Sequence, residues 1–314
     1  MKHTPKIILV LVLFFFISQV TGLFITSRYI EIEEIKEINP ITKETLIVKN
    51  MTYGELPLNM ERPIIEPKTS FVYIVSAIII ATILALLLMK LKKVVLWKAW
   101  FFFAVSMCLT VSFSAFISQL IAAPIAFILA LWRIIKPAFI IHNLTEIFIY
   151  GGIAAILVPI MNIFSIIMLL LLISLYDMYA VWKSKHMIKM AKFQAKAKVF
   201  AGLLMPYKKE NGGKDKKIKK QGKVVFKGVK TAILGGGDIA FPLLFAGVVM
   251  KTLMFENIFM IAFLKTLIIP FVTSIALLLL FVKGKENKFY PAMPFLTIGC
   301  LVGYSILLLI NIFV

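Results

Sequence analysis

Apolar runs of about 20 residues recur along nearly the whole chain, and a run of that length is what a helix needs to cross a bilayer. They cover residues 7–26, 71–91, 94–114, 116–132, 137–158, 163–182, 231–250, 258–282 and 294–314. Inside hydrocarbon every backbone amide must be satisfied within the segment, so each run is expected to be a helix. With 61% hydrophobic residues and mean hydropathy +0.96, an ordinary soluble domain is excluded. The expected fold is an all-α polytopic membrane protein with about nine transmembrane helices.

The runs divide the chain unevenly. Residues 1–182 hold six spans and a polar segment, 28–69, with eight glutamates and six basic residues. Alternating apolar positions there (Ile30, Ile32 and 41–48) predict a hairpin. Residues 183–230 form a basic loop, and 231–314 hold three further spans. The first run, behind Lys2 and Lys6, exceeds a usual signal core and lacks an Ala-x-Ala site, so it reads as a retained helix. Only Gln119 and Pro124 mark the border between the third and fourth spans. Gly151-Gly152 and Pro159 in the fifth predict close helix packing and then a stop.

Lysine sets the orientation. The 183–230 loop carries 16 lysines against Glu210 and Asp215, a net +14. Lys90, Lys92, Lys93 and Lys98 follow the second span, Arg133 and Lys136 the fourth, and Lys283, Lys285 and Lys288 the eighth. Every even-numbered span therefore ends in basic residues, which predicts a cytoplasmic N-terminus and 183–230 loop and an external C-terminus. The net charge of +20 is read as this topological excess, with the lipid bilayer as neighbour and no nucleic-acid partner. Within the loop, 183–198 reads either as a basic helix lying on anionic lipid or as a solvated linker.

Against this background the aspartates stand out. The chain has three, and Asp177 and Asp238 both lie in apolar runs while Asp215 is in the basic loop. An ionised carboxylate in hydrocarbon is costly, so a pair of them needs a purpose. Asp177 precedes Lys183 by six residues and Asp238 follows Lys230 by eight. At helical rise this places them about 9 and 12 Å from one membrane face. Two carboxyls at one level share a proton, and the shared-proton state suits peptide hydrolysis. The ionised member takes a proton from water while the protonated one polarises the scissile carbonyl.

Other hydrolytic chemistries lack their residues. There is no Gly-x-Ser-x-Gly elbow and no His-Glu-x-x-His pair, and His3, His142 and His186 are scattered and read as loop or surface residues. Cys108 and Cys300 sit in apolar runs and read as core residues, and no metal or cofactor is implied. The competing class is a proton- or cation-coupled transporter or channel, whose intramembrane carboxylates relay ions. Lys265 could join such a path, although a lysine snorkelling to the interface explains it as well.

Three short elements surround the carboxylates. Gly235-Gly236-Gly237 removes side chains ahead of Asp238, which lets another backbone approach. Pro242 cannot donate the helical bond to the Asp238 carbonyl, and Pro291-Ala292-Met293-Pro294 opens the last span with an extended turn.

Tyr176-Asp177, Gly235-Gly236-Gly237-Asp238 and Pro291-Ala292-Met293, in this order on nine spans, resemble the presenilin and signal peptide peptidase superfamily, and its single-chain archaeal members in particular. The family pattern is Tyr-Asp, Gly-x-Gly-Asp and Pro-Ala-Leu; Met293 replaces the leucine and keeps the apolar volume. The resemblance implies a presenilin-like fold and an intramembrane aspartyl protease with Asp177 and Asp238 as the catalytic pair. Tyr176, the glycines 235–237 and Pro291-Ala292-Met293 would shape the site and bind substrate. The implied partners are transmembrane-helix substrates; further copies of the chain are the other partner expected. The lysine-derived orientation is that of presenilin, which implies substrates with an external N-terminus. Separately, the β-rich stretch 223–227, bracketed by Gly222 and Gly228, is expected to capture unwound substrate by strand addition.

Overall fold

The structure, a computed structural model, describes residues 5–38, 45–91, 93–136, 138–184, 193–194, 199–208, 229–284 and 290–313. In chain order they form α1 (Pro5–Ser27), β1 (Ile30–Ile38), β2 (Thr45–Tyr53), α2 (Ser70–Lys90), α3 (Val94–Ser114), α4 (Gln119–Ile135) and α5 (Phe139–Leu157). Then follow α6 (Ile163–Tyr179), β3 (Gly202–Lys208), β4 (Val229–Gly235), α7 (Gly236–Glu256), α8 (Phe259–Thr266), α9 (Ile268–Lys283) and α10 (Met293–Phe313). Among the described residues, eight helical segments are long and apolar enough to cross a membrane, and α4 is a shorter apolar helix. The chain is an all-α polytopic membrane protein with two small strand pairs added.

The border between α3 and α4 falls at Ala115–Ser118, just before Gln119, whose side chain accepts the Leu58 amide at 3.1 Å. In the eighth span the helix breaks at Leu267, between α8 and α9. Pro270 supplies the reason, having no amide to give the Thr266 carbonyl. The expected hairpin forms as β1 and β2, antiparallel with Ile30 opposite Tyr53.

Burial separates the centre of the bundle from its rim. The spans built on α5 and α7 are 72% and 67% buried within the protein, against 17% for α2, whose apolar surface is left for lipid. Small residues bring the central helices together. A Cβ on Gly152 would strike the Cys108 carbonyl, so α3 and α5 meet backbone to backbone, and Gly151 packs on Ile25 of α1. That is the close packing expected of this glycine pair.

Two helix ends here are closed by side chains. α6 begins with a reciprocal cap, in which Asn162 accepts the Ser165 amide at 2.8 Å and Ser165 Oγ accepts the Asn162 amide at 3.0 Å. α5 ends in a 3₁₀ turn at Val158–Ile160, and the buried Lys251 of α7 closes it. The Lys251 ammonium donates to the carbonyls of Val158 at 3.1 Å, Pro159 at 3.3 Å and Met161. It also lies 5.7 Å from the ring centre of Tyr53, which seats β2 at that end of α7.

The seventh span differs from expectation at its start. Residues 231–235 are strand, paired to β3 with Gly202 opposite Gly235, and the helix begins only at Gly236. Three successive glycines are poor helix formers, while Thr231, Ile233 and Leu234 suit a strand that has a partner. The helical arithmetic that set Asp238 about 12 Å from Lys230 therefore does not apply. The 183–198 stretch lies almost wholly outside the described residues, and 223–227 entirely so.

Candidate active site

Each intramembrane aspartate meets a helix N-terminus, Asp177 that of α10 and Asp238 that of its own α7, where free amides and the helix dipole favour an anion. Asp177, on the last turns of α6, is buried, and its Oδ2 accepts the Met293 amide of α10 at 3.1 Å. The Ala292 amide also reaches it. One turn along each helix, the hydroxyls of Ser174 and Thr297 share a hydrogen bond of 2.7 Å, so α6 and α10 are joined twice. The Pro291-Ala292-Met293 element is thus brought onto Asp177. Pro291 and Met293 are buried, and helix starts only at Met293.

Asp238 is the third residue of α7, whose N-cap is Gly235. Its carboxylate turns back to the Gly235 amide, the reach made by an acid three residues inside a helix start. A Cβ on Gly235 would lie 3.2 Å from the Asp238 Oδ2, so the missing side chain leaves that carboxylate room. Asp238 is half-buried, Gly237 beside it is exposed, and Asp238 lies within the electrostatic field of Asp177. Tyr176 is partly buried next to Asp177.

β3, the partner of the strand leading to Asp238, is held by side chains that the sequence did not single out as site residues. His142, expected at the surface, is buried in the first turn of α5, and its Nε2 bonds the Gly202 carbonyl at 2.8 Å. Asn143 donates to the Leu204 carbonyl at 2.9 Å and accepts the Leu204 amide at 3.0 Å. Arg133 of α4 donates to the Phe200 carbonyl at 2.9 Å and to Thr145 Oγ1 at 3.1 Å, and is ion-paired to Glu146. Glu146 in turn accepts the Tyr150 hydroxyl. That hydroxyl lies 2.8 Å from where a Cβ on Gly236 would stand, and it feels the charge of Asp238. The available signal was the polar run 142–146 at the start of an otherwise apolar span.

Lys265 donates its ammonium to Asn311, near the end of α10, at 2.7 Å. Among the described residues no cluster of His, Cys, Asp or Glu is arranged to hold a metal.

The register of β3 on β4 fixes which backbone groups are available. Both backbone groups of Leu204 go to Asn143, so Leu204 and its partner Ile233 form a pair that exchanges no hydrogen bonds. The Ile233 amide and carbonyl consequently point to the outer edge of β4, as do those of Thr231 and Gly235 by alternation. That edge ends at the Gly235 amide and the Asp238 carboxylate. The arrangement therefore offers two acids, the charge of one acting on the other, and an extended backbone edge that leads to Asp238.

A family model described as signal-peptide peptidase, presenilin aspartyl protease matches residues 44–312. Solved structures similar in fold include a presenilin family intramembrane aspartate protease in a C222 crystal form, with TM-score 0.56 and 15% identity over 95% of this chain and 99% of that one. A presenilin family intramembrane aspartate protease in a P2 form gives TM-score 0.54 and 16% identity over 98% and 100%. No curated protein sequence matches the chain.

Proposed function

Since the chain belongs to the signal-peptide peptidase and presenilin aspartyl protease family, we propose that it is an endopeptidase that cuts transmembrane helices with Asp177, Asp238 and a water molecule. The observation that carries this reading is the convergence of three separate elements on the two carboxyls. Asp177 from α6 is bonded to Met293 at the start of α10, and its charge acts on Asp238 at the start of α7.

In the proposed reaction one carboxylate removes a proton from water as its oxygen attacks the scissile carbonyl carbon. The other carboxyl, protonated, gives its proton to the carbonyl oxygen, and a tetrahedral diol results. The first acid then protonates the departing amide nitrogen, the second recovers a proton from the diol, and the C–N bond breaks. Neither carboxyl can perform both transfers alone. Gly235 and Gly237 leave space for substrate backbone beside Asp238, Gly236 makes room for the Tyr150 hydroxyl, and Tyr176 and Pro291-Ala292-Met293 shape the other side. An unwound substrate segment needs partners for its amides, and the outer edge of β4 supplies them.

The lysine asymmetry supports a cytoplasmic N-terminus and 183–230 segment, and with it substrates whose N-terminus is external. An ion-coupled transporter would also keep two membrane acids, but it has no use for a bond tying one of them to a Pro-Ala-Met turn. The decisive experiment incubates the purified chain with a labelled transmembrane peptide and identifies products by mass. Cleavage that is lost in Asp238→Ala, with the protein still folded, is the expected result. Unchanged cleavage in that variant, or none by the unaltered protein, would overturn the proposal.

A further inference from the structure

We propose that the first turn of α5 serves as a surrogate third strand on β3, making His142 and Asn143 positioning residues that set the register of the sheet against Asp238. The inference rests on the proteolytic reading above.

A two-stranded sheet has two open edges, and an extended segment can add to either. Here the outer edge of β3 is closed by the protein itself. The Asn143 amide meets both the N–H and the C=O of Leu204, the pairing that a residue on a neighbouring strand would make. His142 takes the Gly202 carbonyl two residues earlier, and Arg133 the Phe200 carbonyl two before that. These alternate carbonyls lie along one edge, as the period of a strand requires. Pro206, the next residue in the alternation, has no amide to offer. Among the described residues, the usable edge is that of β4.

The same contacts fix position along the strand. β3 cannot slide against α5 without breaking both hydrogen bonds at Leu204. β4 cannot slide against β3 without moving Gly235, and with it Asp238, away from Gly202. The carbonyl-to-carboxylate distance for a segment lying on β4 is then set by α5. Arg133, held by Glu146, locks the far end at Phe200. A slip by one residue would present a different peptide bond to the acids. The inference is therefore about which bond is cut as well as how fast.

The test is cleavage of a labelled transmembrane peptide by Asn143→Leu, Asn143→Asp and His142→Leu, with every product mass assigned and folding followed by thermal unfolding in detergent. Asn143→Leu removes both contacts to Leu204, and Asn143→Asp keeps only the acceptor for its amide. In Asn143→Leu we expect kcat to fall about tenfold with little change in KM, the effect of a misplaced reacting group rather than weaker binding. Products should spread to neighbouring bonds, and Asn143→Asp should lie between it and the unaltered protein. His142→Leu, which leaves Asn143 in place, should also broaden the products, and His142→Gln, which restores a side-chain donor, should narrow them again. Loss of rate with an unchanged set of cut bonds in every folded variant would overturn the proposal, as would unchanged rate and products. If Asn143→Leu does not fold, the His142 pair decides alone. Failure of the unaltered protein to cut any peptide would refute the proteolytic reading, a result distinct from either of these.

Discussion

Asp177 and Met293, 116 residues apart in sequence, are joined by a hydrogen bond from the Met293 amide to the carboxylate. The acid of α6 is therefore also the cap of α10. Its two roles can be separated by chemistry. Asp177→Asn keeps an oxygen that accepts the Met293 amide but cannot exchange a proton. It should lose at least about a hundredfold in rate while keeping its thermal stability. Asp177→Ala should lose both, with stability falling by about 1 kcal/mol for the missing cap. Equal unfolding temperatures for the two variants would show that the Met293 contact contributes nothing to the fold.

Two acids that work with one proton between them are inactive when both are protonated and again when neither is. The rate should accordingly rise and then fall between acid and alkaline pH, measured with the fold intact at each pH. Metal chelators should leave the rate unchanged. A profile that is level across this range would contradict the shared-proton mechanism.

The outer edge of β4 can be tested without touching charge. Ile233→Pro removes one outward amide donor while leaving both hydrogen-bonded neighbours, Ala232 and Leu234, in place. Cleavage of a transmembrane peptide should drop several-fold, chiefly through KM, since the contact holds substrate before the reaction. A normal KM in the folded variant would remove β4 from substrate capture.

Gly236 and Tyr150 should be coupled. An alanine at 236 would place its Cβ 2.8 Å from the Tyr150 hydroxyl, so one of them must shift. Gly236→Ala should reduce both stability and rate, and should cost less when Tyr150 is already phenylalanine. A double-mutant cycle by thermal unfolding ought to return a coupling of about 1 kcal/mol. Strict additivity would mean that the helix start adjusts without the tyrosine.

Lys251→Met keeps the apolar stem and deletes the ammonium that three carbonyls share. Stability in detergent should fall by roughly 1.5–3 kcal/mol, the range for hydrogen bonds to a charged group. An unaltered unfolding temperature would show that water replaces the ammonium without loss.

The helices were legible because a bilayer demands some 20 apolar residues in a row, and few other structures do. The aspartates were legible through scarcity, since carboxylates in such runs are costly. The strand at 231–235 was not, because a short apolar run has the same appearance in a strand and in a helix, and its partner β3 lies in what reads as a basic loop. His142 was misread for a related reason: it is matched to a backbone carbonyl 60 residues away, which residue types do not advertise. Lys251 likewise finds its partners among main-chain oxygens. His142 and Lys251 are side chains matched to main chain, and a main-chain partner has no residue type to announce it.

The ammonium of Lys251 has one more consequence. α7 is bolted to the end of α5 near its last turns, and its first turn, after three glycines, carries Asp238. Mechanically it is a beam held at both ends, by Lys251 on α5 and by β4 on β3, so a load applied at one end is not passed to the other. An inhibitor that seizes Asp238 should therefore slow amide exchange at 235–241 and leave the residues around Lys251 as they were.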